Sequence, residues 1–233
     1  MNALTEEEQL NNLKSLTKKY GSAAISGVLV ALIAFFGWSY WQKKQLHRSQ
    51  NETARVQQLM DQAQSMAGDA KAYAQLAPLA DTVIKKDLNS AQAIQAQFVM
   101  AKVAFDQGDY AAAERELKKV QNIKIDDEGL LQLVNLRLAY AQTAQKKYDD
   151  ALKTLDLITV PAFKASADEA RGDIFVAKND IANAKKAYQS AWDVSIARKQ
   201  ERQILQIKLE SVGVLVDDPN IERPILKTQV DES

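Results

Sequence analysis

A stretch of 23 residues, from Tyr20 to Gln42, contains no charged side chain. Its middle, residues 25–36, is almost wholly apolar. At 1.5 Å of rise per residue, about 20 helical residues span the roughly 30 Å hydrocarbon core of a bilayer, whereas a helix of a soluble domain is seldom apolar on every face. The stretch therefore predicts a transmembrane helix over residues 20–42.

The residues at the end of this stretch distinguish an anchor from a cleaved signal peptide. Residues 35–44 contain no pair of small residues of the Ala-x-Ala kind that a signal peptidase needs. Three aromatic side chains, Trp38, Tyr40 and Trp41, lie where the helix would leave the hydrocarbon, and Tyr20 lies at the other end. Such aromatic residues are typical of the membrane interface. The pattern favours a retained single-pass anchor over a signal peptide or a buried helix.

Flanking charge does not determine the orientation of this anchor. Basic residues near a membrane span tend to stay in the cytoplasm, and three of them lie on each side of the stretch. They are Lys14, Lys18 and Lys19 before it and Lys43, Lys44 and Arg48 after it. We predict the commoner arrangement, a cytoplasmic tail over residues 1–19 and an exported domain. A cytoplasm-facing domain is the alternative.

Composition argues against several function classes. Lysine plus arginine balance aspartate plus glutamate at 30 each, so the chain lacks the basic excess of a nucleic-acid-binding protein. Cysteine is absent, which excludes disulfides and thiol nucleophiles and fits an oxidising compartment without requiring one. The single histidine, His47, follows the anchor and fits a basic interfacial collar. No motif for phosphate, zinc or a serine nucleophile occurs, so we predict no enzyme, no cofactor and no metal site.

Beyond Gln42 the chain is rich in alanine, glutamine and lysine and reads as helix throughout. We predict one helical domain over residues 43–216 and a flexible carboxy-terminal tail over residues 217–233. The predicted helices cover residues 48–67, 70–86, 90–107, 110–121, 126–145, 148–159, 165–178, 181–194 and 198–212. The last one should cap the domain, with Leu205, Leu209 and Val212 on its apolar stripe.

One pattern recurs three times, beginning at Gly108, Lys146 and Asn179, with offsets of 38 and 33 residues. A period near 34 built from two helices and a turn is typical of tetratricopeptide repeats, in which small residues permit close packing of the helices. The small residues and their larger apolar followers are Ala101, Ala113, Leu117 and Val120, then Ala139, Ala151, Leu155 and Ile158, then Gly172, Ala184, Tyr188 and Ala191. The third repeat has Arg171 where an apolar residue is usual.

The pattern predicts an all-α fold, a single transmembrane helix followed by a tetratricopeptide-like helical-repeat solenoid. An alanine-rich helical bundle is the alternative. In such a solenoid the first helix of each pair lines a concave surface. Periodicity predicts that Phe98, Lys102, Phe105, Leu136 and Tyr140 lie near this surface, where a mixed apolar and basic groove would suit extended or helical peptides. The apolar members could instead be ordinary core.

Four segments of the chain resemble the YfgM-like family, the ancillary subunits of the bacterial SecYEG translocon. The similarity runs from about Leu13 to Val212, and the tail after Val216 departs from it. The segments are Gly37-Trp38-Ser39-Tyr40-Trp41, Asn135-Leu136-Arg137-Leu138-Ala139, Ala151-Leu152-Lys153-Thr154-Leu155-Asp156 and Arg171-Gly172-Asp173.

This resemblance implies a protein of the Gram-negative inner membrane with its amino terminus in the cytoplasm and its repeat domain in the periplasm. It implies association with the SecYEG translocon and with a PpiD-type periplasmic chaperone, and assistance to exported polypeptides. It supplies no catalytic residue. From the residues alone, a cytoplasm-facing adaptor or signalling regulator and a membrane-bound enzyme of an unrecognised type are the competing hypotheses.

Overall fold

The computed structural model describes residues 31–44, 51–200 and 202–216. Across these ranges all regular structure is helical. The chain divides into two compact units, Met1–Ala54 and Arg55–Ser233. In the first unit, residues 31–44 are helical. The expectations for residues 1–19, for residues 20–30, for His47 and for residues 217–233 lie outside the described residues.

In the second unit, a helical segment that ends at residue 65 precedes eight further α-helices within the described residues. These helices are α1 (Ala72–Lys86), α2 (Ala91–Asp106), α3 (Tyr110–Val120), α4 (Glu128–Ala144), α5 (Tyr148–Asp156), α6 (Lys164–Ala177), α7 (Ile181–Ala197) and α8 (Gln203–Ser211). Each helix packs against the next one, and α2 and α4, like α4 and α6, also contact each other. The helices therefore form pairs stacked along the chain.

Three predicted boundaries are wrong by three residues or more, among them the end of α7, which the sequence places at residue 194 and the structure at Ala197. The helix expected over residues 148–159 ends at Asp156, because Pro161 starts a short 3-10 helix, Pro161–Phe163, that leads into α6. The helix expected to begin at residue 198 begins at Gln203, because α7 continues to Ala197 and Lys199 then turns the chain with a positive φ of 55°.

Five helix ends share one turn geometry. At each, a residue with positive φ follows the helix, and the next backbone N–H donates to the carbonyl five residues earlier, as from Asp109 to Ala104 at 2.9 Å. This is the Schellman motif. The residues with positive φ are Gly108, Lys146, Asn179, Lys199 and Gly213. Gly213 follows Asn179 by 34 residues, so α8 has the position of the first helix of a further repeat.

We expect Lys146→Gly to stabilise the domain by about 0.5–1 kcal/mol, because Lys146 has a φ of 61° and glycine removes the Cβ strain of that conformation. Urea unfolding of the purified full chain, followed by circular dichroism at 222 nm, measures the change. Gly108→Ala is the reverse control and should destabilise the domain by about 1 kcal/mol. An unchanged or lower stability of Lys146→Gly would contradict the assignment of strain to this turn.

The small residues of the repeat lie at helix crossings. Ala113, Ala151 and Ala184 are buried, and each belongs to a core cluster that joins neighbouring helices. Gly172 lies so close to Tyr188 that a Cβ atom would collide with the tyrosine ring. These contacts confirm the repeat register that the sequence predicted.

Another helix pair precedes the three predicted repeats. Val56 and Leu59 in the helical segment before α1 pack with Leu76 of α1 and Met100 of α2 in one buried cluster. The turn between the two helices contains Gly68, whose φ is +85°. The stack of helix pairs therefore begins before the first repeat that periodicity revealed.

Arg171, which replaces the usual apolar residue, joins α6 to the end of α5. Its guanidinium donates to Asp168 Oδ1 at 2.7 Å, to the Leu155 carbonyl at 3.0 Å and to Asp156 Oδ1 at 3.0 Å. The positive charge thus lies beside the carbonyls at a helix carboxyl end, where the macrodipole favours it. Hydrogen bonds and ion pairs of Arg171 therefore replace, at this helix junction, the apolar contact that is usual in the repeat.

Candidate functional site

An open groove with a volume of about 280 Å³ is lined by residues of α2, α3 and α4. Its walls include small side chains from all three helices, Ala101, Ala113 and Ala141, together with Leu117 of α3. These four residues are buried. Larger side chains at these alanine positions would fill the groove. The small residues that permit close helix packing therefore also leave an open apolar surface.

Three aromatic side chains add to this surface. Phe98 and Phe105 come from α2, about one turn before and one turn after Ala101, and Tyr140 comes from α4. Phe105 is 39% exposed and Tyr140 is 42% exposed, whereas Phe98 lies deeper. The ring of Phe105 packs edge-to-face on Tyr110, with the centroids 4.8 Å apart. Phe105 is therefore held in place while much of its ring remains accessible to a ligand.

The charges on the groove are unequal. Lys102 Nζ lies 2.7 Å from Asp106 Oδ2, so these two side chains neutralise each other at the rim. Arg137 lies with its guanidinium carbon 4.1 Å from the centroid of Phe98. Within the part of the chain that the structure describes, Arg137 forms no ion pair, and burial lowers its pKa. Among the described residues, the groove therefore carries one positive charge without an ion-pair partner, that of Arg137.

Four of the five residues predicted for the concave surface line this groove: Phe98, Lys102, Phe105 and Tyr140. Leu136 does not. It is 7% exposed and packs in a separate core cluster with Ala151 and Leu155 of α5 and Ile174 of α6.

The sequence prediction missed Arg137. Arg137, Tyr140 and Ala141 follow one another at steps of three and one, so they share one helix face, and all three line the groove. Projecting this face from Tyr140 alone could have found the arginine. Leu136 lies one residue earlier and packs against α5 and α6. Arg137 therefore lines the groove, where the sequence predicted Leu136.

The first helices of the later pairs, α6 and α8, carry charges that form ion pairs with each other. Glu169 of α6 accepts hydrogen bonds from Arg202 at 2.9 Å and from Lys208 at 2.8 Å, and Lys208 also donates to Asp173 at 2.8 Å. Burial raises the pKa of Tyr140, and the carboxylates of Glu169 and Asp173 raise it further. This network connects α8 to α6, so Lys208 is paired, whereas Arg137 forms no ion pair with the described residues.

The predicted membrane-interface residues are accessible where the structure describes them. Trp38, Tyr40 and Trp41 are exposed, and the rings of Trp38 and Trp41 lie 5.6 Å apart. Tyr20 lies outside the described residues. Among the helices that the structure describes, none combines the length and the apolar character needed to cross a bilayer.

The described ranges show no candidate metal centre. They contain no group of three or more histidine, cysteine, aspartate or glutamate side chains placed to hold a metal ion. The buried carboxylates are used in structural contacts, as when Tyr73 donates to Glu116 at 2.6 Å and couples α1 to α3.

The arrangement of stacked helix pairs agrees with a family comparison. The family model described as tetratricopeptide repeat-like domain matches residues 14–214. The chain belongs to this family. The match extends before the helices of the second unit and ends just after the turn at Gly213, so it includes the further repeat position that the turn geometry indicates.

Several relatives of this repeat protein carry one name, ancillary SecYEG translocon subunit. The protein from Haemophilus influenzae is 29% identical over 210 residues, which is 90% of this chain and 98% of the relative. The protein from Neisseria gonorrhoeae is also 29% identical over 210 residues, with the same coverage. The Escherichia coli protein is 25% identical over 212 residues, 90% of this chain and 97% of the relative. These matches confirm the resemblance to the YfgM-like family.

One buried carboxylate beside the groove helices predicts a dependence of stability on pH. Glu114 of α3 accepts from Lys118 at 2.7 Å, Lys147 at 2.8 Å and Gln145 at 2.8 Å. Burial raises the pKa of Glu114, but these hydrogen bonds outweigh burial and lower the pKa from 4.5 to about 2. Because the folded pKa is lower, ionised Glu114 stabilises the fold above pH 4.5, and this stabilisation is lost as pH falls toward about 2.

We expect Glu114→Gln to lose on the order of 2–3 kcal/mol at neutral pH and to show a flatter pH dependence of stability between pH 5 and pH 2 than the wild type. Urea unfolding of the full chain at a series of pH values measures both effects. Glu128→Gln, an exposed change in the first turn of α4, is the control. Parallel stability curves for Glu114→Gln and the wild type would show that this carboxylate does not couple folding to protons.

Proposed function

We propose that the chain is a membrane-anchored, periplasm-facing interaction protein, an ancillary subunit of the SecYEG translocon. In this proposal it assists exported polypeptides together with a PpiD-type chaperone. The observation that carries the proposal is the accessible apolar groove with its unpaired cation, in a chain whose relatives are named as translocon subunits. A surface with these properties suits peptide binding.

The anchor is the first half of this proposal. In the described helix over residues 31–44, Ile33, Phe35 and Phe36 are 71%, 65% and 64% exposed. Transfer of exposed large apolar side chains from water into hydrocarbon is favourable. Trp38, Tyr40 and Trp41 would then lie among the lipid headgroups. These exposures support a membrane span over residues 20–42. In this proposal the amino terminus lies in the cytoplasm, as the family resemblance implies.

We expect Leu32→Arg to reduce membrane insertion, because an arginine near the centre of a membrane helix costs about 2.5–3.5 kcal/mol on insertion scales. Carbonate extraction of membranes, followed by immunoblotting, measures the fraction that remains inserted. Gln42→Arg introduces the same side chain at the polar end of the stretch and should insert normally. A wild-type protein released completely by carbonate would reject the anchor.

Confinement to the membrane would strengthen weak contacts. A groove of about 280 Å³ contacts only a short part of a partner, so its own affinity is modest. Attachment of both partners to one membrane raises their effective concentration, and contacts of the anchor and of the repeat domain then add. The two halves of the chain would thus act together.

Affinity purification of the full chain from membranes in mild detergent tests this function. The expected result is recovery of the SecYEG translocon and the PpiD-type chaperone. Lys102→Glu combined with Tyr140→Ala should reduce recovery of the chaperone or exported chains while carbonate extraction stays unchanged. Lys153→Glu, at an exposed position of α5 outside the groove, is the matched charge-reversal control.

Protease accessibility determines which side of the membrane the repeat domain occupies. The proposal predicts digestion in spheroplasts and protection in intact cells. Protection in spheroplasts, with digestion only after lysis, would overturn the proposal in favour of an adaptor that faces the cytoplasm.

A further inference from the structure

We propose that the groove between α2 and α4 selects peptide segments in which an acidic residue adjoins a large apolar residue. The apolar side chain would pack against Ala113, Leu117 and Ala141, and the carboxylate would pair with Arg137. This inference rests on the proposed function, because it specifies the peptides that the same groove accepts.

The first argument is the unpaired charge. Of the arginines on the first helices, Arg171 lies 2.7 Å from a carboxylate oxygen of Asp168, whereas Arg137 meets no carboxylate in the described ranges. Arg137 is exposed, and its guanidinium lies over the Phe98 ring, so its charge is accessible to a ligand. A carboxylate supplied by a ligand would therefore gain a charge-assisted interaction that the free protein leaves unmade.

The second argument is preorganisation. The guanidinium of Arg137 is held 4.1 Å from the Phe98 centroid, so the cation and the ring already restrict each other. A guanidinium presents its N–H groups in a planar fork that matches the two oxygens of a carboxylate. Because the arginine is restricted before binding, little side-chain freedom remains to be lost on pairing.

The third argument is the apolar space beside this cation. A volume of about 280 Å³ lies at or just below the low end of ligand pockets, which run from about 300 to 1,000 Å³, so the groove accepts one or two side chains. Phe105 and Tyr140 are accessible and border the space. An apolar side chain that enters removes these surfaces from water and brings its neighbour in the peptide to Arg137.

The rim explains the preference for an acidic neighbour over a basic one. Lys102 and Asp106 neutralise each other, so Arg137 determines the sign of the local charge. A lysine next to the apolar anchor would meet uncompensated repulsion, whereas a glutamate or aspartate would meet attraction. A single unpaired cation is too little for a nucleic-acid backbone, which needs several phosphate contacts.

Fluorescence anisotropy with labelled peptides tests the inference on the full chain in detergent. Three eleven-residue peptides in an alanine, serine and glutamine background carry central Phe-Glu, Phe-Gln or Ala-Glu. We expect Phe-Glu to bind on the order of tenfold more tightly than either of the others at low salt. This advantage should shrink as ionic strength rises.

Variants assign the preference to one side chain. Arg137→Gln should abolish the difference between Phe-Glu and Phe-Gln, while the affinity for Phe-Gln changes little. Arg137→Lys should keep part of the difference, since a point charge replaces the planar fork. Lys153→Gln, which removes a cation outside the groove, should behave as the wild type. Far-UV circular dichroism verifies that each variant is folded.

The outcomes separate this inference from the function on which it rests. Equal binding of Phe-Glu and Phe-Gln by the wild type would overturn the acidic preference and leave peptide binding intact. Equal binding of Phe-Glu and Ala-Glu would overturn the role of the apolar anchor. A preference for Phe-Glu that persists in Arg137→Gln would assign it to another cation and overturn the inference. No binding of any peptide would reject the groove as a peptide site.

Discussion

Replacing Gly172 by alanine is expected to destabilise the repeat domain by about 2–4 kcal/mol, the range of severe overpacking. A Cβ atom at this position would collide with the ring of Tyr188. The ring is 3% exposed, and its hydroxyl donates to Asp173 Oδ1 at 2.8 Å, so it is held in place. At an open helical position the same change would stabilise by about 1 kcal/mol, so the sign of the effect is informative. Urea unfolding of the full chain measures it.

Gly129→Ala is the matched control for this prediction. Gly129 is also helical, but its added Cβ would meet the exposed carboxylate of Asp127 at 3.1 Å, which can move at the cost of its N-cap hydrogen bond from Leu130. Its effect should stay within about 1 kcal/mol. Tyr188→Leu combined with Gly172→Ala should cost less than the sum of the two single changes, because the smaller side chain removes the collision. Equal stabilities of Gly172→Ala and Gly129→Ala would contradict the close packing of α6 on α7.

Ala151→Glu is the second change with a large expected effect. Ala151 is fully buried in a cluster with Leu136, Leu155 and Ile174, which belong to three different helices. A glutamate there needs room for three more heavy atoms and buries a carboxylate, so we expect a loss of at least about 3 kcal/mol. Thermal unfolding of the full chain, followed by circular dichroism, measures the loss.

The control for Ala151→Glu is Lys153→Ala, an exposed change on the same helix. The control should shift the melting temperature by only a degree or two, whereas Ala151→Glu should lower it by well over ten degrees or prevent cooperative unfolding. A comparable shift for both variants would mean that α4, α5 and α6 do not meet at Ala151.

The part of the fold that could be predicted from the sequence depends on local rules. Small residues at a 33- to 38-residue spacing indicate where helices approach closely, and Ala113, Ala151 and Ala184 are buried at those crossings. Turn positions are local too, since a residue with positive φ ends each first helix. At Gly108 the residue type reveals the turn. At Lys146 only the repeat does.

The differences arise where tertiary packing decides. The pair formed by α1 and the helical segment before it lacks the repeat's alanine spacing, so only the packing of Leu59 and Leu76 with α2 reveals it. In α4, neighbouring residues separate at the groove edge, with Leu136 in the core and Arg137 on the surface. A projection of periodicity with an error of one residue, about 100° around a helix, is enough to exchange them.

Site-specific photo-crosslinking in intact cells tests the central claim most directly. A photoreactive phenylalanine analogue replaces Phe105, which is 39% exposed and lines the groove, or Leu157, which is 50% exposed and does not line it. Mass spectrometry then identifies the adducts. The proposed function predicts adducts of exported polypeptides, the translocon or a PpiD-type chaperone from position 105 and few from position 157. Adducts made only with cytoplasmic proteins, or the same partners from both positions, would contradict it.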